Sequence, residues 1–260
     1  MRPLAASDIL KVWEHGEEQT AIDRALTMLA VACPELNHAG LAALSIGQRD
    51  ARLFELRELT FGPQLDGFTA CPRCQERLEF ALDLAALRFR HPGSPAPAES
   101  EEFAFETDGY ALRFRLPDSR DLAAVGICED IAAARRLLAE RCVLQASRNG
   151  DAVAELPDQT IVELAEHLGN CAPEAEVMLD FACPSCGHEW QALFDIAAFF
   201  WAEISALARR LLREVHLLAS AYGWREADIL VMSPRRRQAY IELYMSRADS
   251  PPERRLALKR

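Results

Sequence analysis

The chain has 260 residues, half of them apolar, and its 40 acidic against 29 basic side chains give a formal net charge of −11. That apolar content excludes global disorder and supports one large core or two smaller ones, while a negative field disfavours nucleic acid and anionic membranes as partners. No stretch reaches the roughly 18–20 apolar residues that span a bilayer, and the first residues hold no apolar run of signal-peptide length, so a soluble, intracellular protein is expected.

Residues 7–61 read as helices. Ser7 is placed to cap the first, which holds Ile9, Leu10 and Trp13. Leu26, Leu29, Ala30 and Cys33 mark the apolar face of a second, stopped by Pro34. A third follows Gly47, carries Leu53, Leu56 and Leu59 at spacings of three, and ends near Gly62 and Pro63. Residues 66–89 contain Cys71 and Cys74 and then Leu78, Phe80 and Leu82 in strand alternation. The proline-rich polar stretch 91–102 reads as an exposed linker.

Beyond it, Phe103, Phe105, Tyr110, Leu112, Phe114 and Leu116 alternate around Asp108-Gly109, the signature of a hairpin with a two-residue turn, and Pro117 ends the second strand. Asp118 or Ser119 caps a helix starting at Arg120, another runs over 129–142, and Asp158 or Thr160 opens one carrying Ile161, Leu164, Ala165 and Leu168. A strand with Val177, Leu179 and Phe181 on one face and Met178, Asp180 and Ala182 on the other leads into Cys183 and Cys186. From 195 to 223 a helical stripe from Ile196 to Leu218 spans about 28 residues, roughly 42 Å, and Gly223 ends it. Two shorter helices, 225–232 and 234–246, follow, with Ser233-Pro234 as cap and first turn. The basic end of the chain reads as frayed.

Setting ACPRCQERLEFALDLAAL beside ACPSCGHEWQALFDIAAF pairs Cys71 with Cys183, Cys74 with Cys186, Leu78 with Trp190 and Asp83 with Asp195. One unit is used twice. Each copy places Cys-Pro-x-Cys immediately before an extended segment, as a zinc knuckle does to turn backbone amides toward thiolate sulfur. Cys71, Cys74, Cys183 and Cys186 are therefore the candidate ligands of one structural Zn2+ in a closed tetrahedral site. The 108 residues between Cys74 and Cys183 become an insertion whose ends the metal ties together. Gln75 stands where the second copy has Gly187, so the first turn must be made by a residue with a side chain. Two other readings stay open. A redox dithiol is one, although the duplication and the alternation after Cys74 count against it. Independent metal sites completed by other groups, with His188 the nearest candidate, are the other. In a reducing compartment the remaining cysteines, Cys33, Cys128, Cys142 and Cys171, read as core packing on apolar helical faces.

No nucleophile elbow, phosphate-cradling loop, HExxH or dinucleotide fingerprint is present. His167 and His216 read as structural side chains within helices, while Glu17-Glu18, Glu101-Glu102 and the run Arg235-Arg236-Arg237 read as solvated surface. A four-cysteine zinc leaves no coordination position for water. A non-enzyme is expected, with no catalytic or cofactor-binding residues.

The stretch EVHLLASAYGW, followed by ADIL and RRRQAYIEL, together with YALRFRLPDSRDL at 110–122 and SDILKVWEHG near the start, is similar to the phage-type baseplate hub assembly chaperones of contractile phages and extracellular contractile injection systems. The resemblance touches most of the chain. It implies a bacterial cytoplasmic or particle-associated protein that acts on baseplate hub proteins as they join the baseplate, without a small-molecule substrate, nucleic acid or membrane. Phe199, Trp201, Tyr222, Trp224, Tyr240 and Tyr244 give the C-terminal helices an aromatic content suited to a partner surface, though core packing is the commoner role for any one of them.

The expected architecture is α+β and mostly helical, a zinc ribbon built from two distant CPxC knuckles with helical regions at both ends. Its parts are an N-terminal helical region (1–62), the first knuckle and strand (63–90), the linker (91–102), an inserted hairpin with helices (103–176), the second knuckle and strand (177–194), a long helix with a helical pair (195–246) and a flexible tail (247–260). A zinc-ribbon nucleic-acid adaptor, which would need a basic face, and a CxxC dithiol oxidoreductase are the alternative functions.

Overall fold

A computed structural model describes residues 1–84, 102–172 and 175–248. The expected linker, apart from Glu102, and the expected tail beyond residue 248 lie outside the described residues. The chain opens with α1 (Ala6–Gly16), α2 (Ala21–Ala32), α3 (His38–Ala42) and α4 (Ile46–Phe61), followed by β1 (Gln64–Ala70) and β2 (Arg77–Asp83). A middle section holds β3 (Glu102–Thr107), β4 (Tyr110–Arg115), α5 (Ser119–Val125), α6 (Ile131–Cys142), β5 (Val143–Arg148), β6 (Asp151–Ala152) and α7 (Asp158–Cys171). Then come β7 (Met178–Ala182), β8 (Glu189–Leu193), α8 (Ile196–Tyr222), α9 (Glu226–Val231) and α10 (Pro234–Ala248). The fold is α+β, with small antiparallel sheets among a majority of helices.

The helix starts follow from their caps. Thr20, Asn37, Ser45, Asp130 and Asp195 each accept a backbone N–H from the first turn that follows, satisfying donors that a helix leaves orphaned. The first helix departs from the expected Ser7 cap. It begins one residue after Ala5, whose backbone N–H donates to Asp8 at 3.0 Å, and Asp8 also receives the Arg2 guanidinium. Of the two candidates for α5, Asp118 is the cap. At α7 the cap position is Pro157, and no side chain serves it.

Two apolar cores organise these elements. In the first, Ile9, Val12, Met28, Leu29, Leu41, Leu53 and Leu56 of α1–α4 close around Phe200, Ile204, Ala208 and Leu211 of α8. The N-terminal helices and the long helix thus share one interior. Leu59, at the end of the same i, i+3 series as Leu53 and Leu56, is instead exposed. Arg57 ties α4 to α8 with a bidentate pair to Glu203, at 2.9 and 2.6 Å, and donates to the Gly62 carbonyl at 2.8 Å. On the outer end of α8, Arg237 corrects the reading of the arginine run as solvated surface. It is buried and donates to Glu214 at 2.7 Å, while Arg235 and Arg236 remain exposed.

The second core lies within 102–171, where Leu112, Phe114, Cys142, Ile161 and Leu164 join the antiparallel sheet β3-β4-β5-β6 to α6 and α7. Asp108 and Gly109, both at positive φ, form the expected two-residue turn between β3 and β4. Asn149 and Gly150 repeat it between β5 and β6. The two cores meet at Pro117, whose carbonyl accepts the Ile46 N–H at 3.0 Å, and at a bridge between Ser45 and Asp118. Beneath this junction buried Asp121 gathers Arg115 at 2.6 Å and Arg141 at 2.9 Å. Among the other cysteines, Cys33 and Cys142 are fully buried, whereas Cys128 and Cys171 are only partly so.

Candidate metal centre

Hairpins β1–β2 and β7–β8 share one construction. The closing pairs are Ala70 with Arg77 in the first and Ala182 with Glu189 in the second, so each loop holds six residues beginning with a candidate ligand cysteine. In the first loop the Cys71 N–H donates to the Glu76 carbonyl at 2.9 Å and the Gln75 N–H to the Cys71 carbonyl at 2.9 Å. In the second, the Cys183 N–H donates to His188 at 2.8 Å and the Gly187 N–H to Cys183 at 2.9 Å. Gln75 (φ 61°) and Gly187 (φ 67°) adopt the same left-handed conformation. The sequence repeat is therefore a repeat of hydrogen bonds, and Gln75 accepts a conformation that side chains disfavour in order to keep it.

The hairpins meet loop to loop. The four Sγ atoms of Cys71, Cys74, Cys183 and Cys186 lie within 4.8 Å of one another, and two pairs meet across the knuckles, Cys71 with Cys186 at 3.7 Å and Cys74 with Cys183 at 3.6 Å. A tetrahedral ion with sulfur at about 2.3 Å has S···S edges of roughly 3.8 Å, so the cluster fits such an ion. Cys71 and Cys183 are buried, Cys186 is intermediate and Cys74 faces solvent. His188 is not among the clustered ligands. Its ring lies over Trp190 and its contribution is the carbonyl that takes the Cys183 amide. Neither cysteine pair sits at a helix N-terminus, the position that activates a redox dithiol.

Crowding drives the thiols of Cys71, Cys74 and Cys186 apart in acidity. At Cys71 burial raises the thiol pKa, but the backbone N–H groups of Cys74 and Arg73 and the neighbouring thiols outweigh it and bring it to about 7. At Cys74 the Glu76 backbone N–H favours the thiolate, yet burial and the sulfurs of Cys186, Cys183 and Cys71 push it up to about 12. Cys186 is also raised, the His188 amide being outweighed by burial and by the sulfurs of Cys71 and Cys183. Crowded thiolates of this kind need a bound cation to be ionised at neutral pH.

Aromatic packing holds the hairpins in place. Phe80 of β2 meets Phe181 of β7 edge to face at 5.4 Å, and Phe181 stacks on Trp190 at 5.3 Å. Gly67 pairs with Phe80 across β1–β2, and a Cβ there would overlap the ring. Its role was legible in principle, since a glycine inside a strand marks close approach. The Asp121 network had no such signal, because its second arginine, Arg141, comes from 20 positions away.

The other candidate residues separate by position. His167 stacks on Phe105 at 4.5 Å, and His216 is exposed on α8. Trp201 packs against the first core beneath the Arg24 guanidinium, and Phe199 lies on Phe194. Tyr222, Trp224 and Tyr240 pack on one another, leaving Tyr244 exposed beside Leu243 and Met245.

Among the described residues no helix is long and apolar enough to cross a membrane. The family model described as T4 bacteriophage base plate protein matches residues 4–201, from the first core through both cysteine hairpins to the first turns of α8. The C-terminal motifs EVHLLASAYGW and RRRQAYIEL lie beyond that match. No curated protein and no solved structure matches the chain. Because the match spans well over half of its length, the chain belongs to the T4 bacteriophage base plate protein family.

Proposed function

We propose that this chain is a non-enzymatic assembly chaperone or minor component of the baseplate hub in a contractile, phage-tail-like injection system, held in shape by one structural zinc bound to Cys71, Cys74, Cys183 and Cys186. The observation that carries the zinc is the convergence of four sulfurs from two hairpins 112 positions apart in sequence. Four thiolates fill a tetrahedral ion, so its contribution is cohesion without a water to activate. Membership of the base plate family supports interaction with other baseplate proteins, and the motifs beyond the family match support the narrower hub assignment through their resemblance. The acidic chain speaks against a nucleic-acid adaptor.

Elemental analysis of the purified chain tests the metal. One zinc per chain is expected, lost in both Cys74→Ser and Cys186→Ser. Two zincs, each lost in only one variant, would mean that the knuckles bind separately. Co-purification from cells producing the whole particle tests the role, and recovery without any baseplate subunit would remove it.

A further inference from the structure

We infer that the cleft between α6, α7 and the β7–β8 hairpin is a docking groove for an amphipathic helix of another baseplate protein, one with an apolar face and arginine or lysine along its flanks. This rests on the baseplate reading above and names the chemistry of the partner. The cleft encloses about 1430 Å³, beyond the ~300–1,000 Å³ of small-molecule sites, so a peptide segment matches its size. Four of its lining residues are large apolar side chains left in water: Ile131 at 73 % exposure, Leu193 at 60 %, Val162 at 52 % and Met178 at 39 %. Met178 and Leu193 are cross-strand partners at the end of the metal hairpin, while Ile131 and Val162 stand on α6 and α7. Apolar patches of this kind, gathered around one concavity, mark interaction sites.

Gly169 supplies an independent observation. It lines the cleft from the last turn of α7 with helical backbone, and a Cβ built there meets no described atom within 4 Å. Glycine weakens a helix relative to alanine, and among the described residues nothing requires its small size. Together with Ala165 four positions earlier on the same wall, it leaves α7 open to close approach by another backbone. Charge selects the partner. Asp130, Glu166 and Glu176 line the cleft with no cationic partner among the described residues, against one such guanidinium, Arg135. An acidic rim on a chain of charge −11 repels a second copy of itself and attracts basic flanks.

The test places a photo-crosslinking amino acid at Val162, and separately at Leu193, in the full chain within cells that assemble the particle. Mass spectrometry then identifies the joined peptide. The expected product is one basic, amphipathic helical segment of another baseplate protein. Crosslinks to a second copy, to residues 85–101 or 249–260 of the same chain, or to nothing would overturn the proposal. In parallel, Gly169→Arg should reduce co-purified baseplate protein about tenfold, the loss typical of a central interface position, while Gly169→Ala leaves the melting temperature unchanged or higher. If Gly169→Arg does not fold, the exposed Val162→Asp takes its place. Variants that retain the partner as wild type does would sink the groove alone, whereas a wild-type chain recovered with no baseplate subunit would sink the function with it.

Discussion

Gln75 and Gly187 stand at the same point of the two knuckles, and only one of them suits the left-handed backbone found there. Replacing Gln75 with glycine should therefore stabilise the metal-loaded protein by up to about 1 kcal/mol, and Gly187→Gln should cost a similar amount, both measurable by chemical denaturation. Gly67→Ala acts through packing, because the new methyl enters the space of the Phe80 ring. A loss of about 1–3 kcal/mol is expected, accompanied by weaker metal retention. Asp121 gives a pH prediction. Burial raises its pKa, but hydrogen bonds and charge from Arg115, the Asp118 amide and Arg141 leave it below the ordinary carboxylate value. A folded-state pKa below the unfolded one means that its stabilisation is complete above the unfolded value of about 3.9 and drains away as the pH falls through the lower folded one. Asp121→Asn should lower stability at pH 7 and narrow its gap from wild type as the solution is acidified below pH ~4. The cysteines could be found in the sequence because they recur in a repeat. Asp121 was less legible: its place three residues after the Asp118 cap is local, but its pairing with Arg141 is set only by the fold.

Among the elements, those with strong local chemistry were the legible ones. The long apolar stripe of α8 has both boundaries close to the sequence reading and α2 has its end there, and the Asp108-Gly109 hairpin follows from its turn alone. β1 escaped because QLDGFTA lacks clean alternation and gains strand identity from its pairing with β2. The β5–β6 hairpin carries the equally telling Asn149-Gly150 turn but has only two residues on its second strand. The five residues of α3 are too few to show a period. Contacts between elements were invisible. The pair of Arg57 with Glu203 spans 146 positions, and Arg57→Ala should strand a poorly solvated carboxylate against α4 at a cost of about 3–5 kcal/mol, a fall that thermal or urea unfolding would register.

At the scale of the whole molecule, the four clustered cysteines join two hairpins that flank the second core, while each core has its own apolar contacts, and the proposed zinc would act at that junction. Chelation should therefore loosen the molecule at the hairpins first. Hydrogen exchange is expected to accelerate in β1–β2 and β7–β8 before α2, α8 or β4 lose protection, because local opening follows the distribution of buried contacts. Simultaneous loss of protection everywhere would instead mean that the cores depend on the metal.

The late position of α8 bears on how the chain matures during synthesis. Helices α1–α4 have their apolar faces ready early, but the helix that covers them follows the whole of the second core. At about 5–20 residues per second, the ribosome needs roughly 6–22 s to travel from the first knuckle to the second. Throughout that interval the first two thiols have no partners and the N-terminal helices no lid, and before it ends residues 102–171 have been made, with everything their own core requires. The nested segment is thus free to fold first, and the chain's beginning and end close around it afterwards.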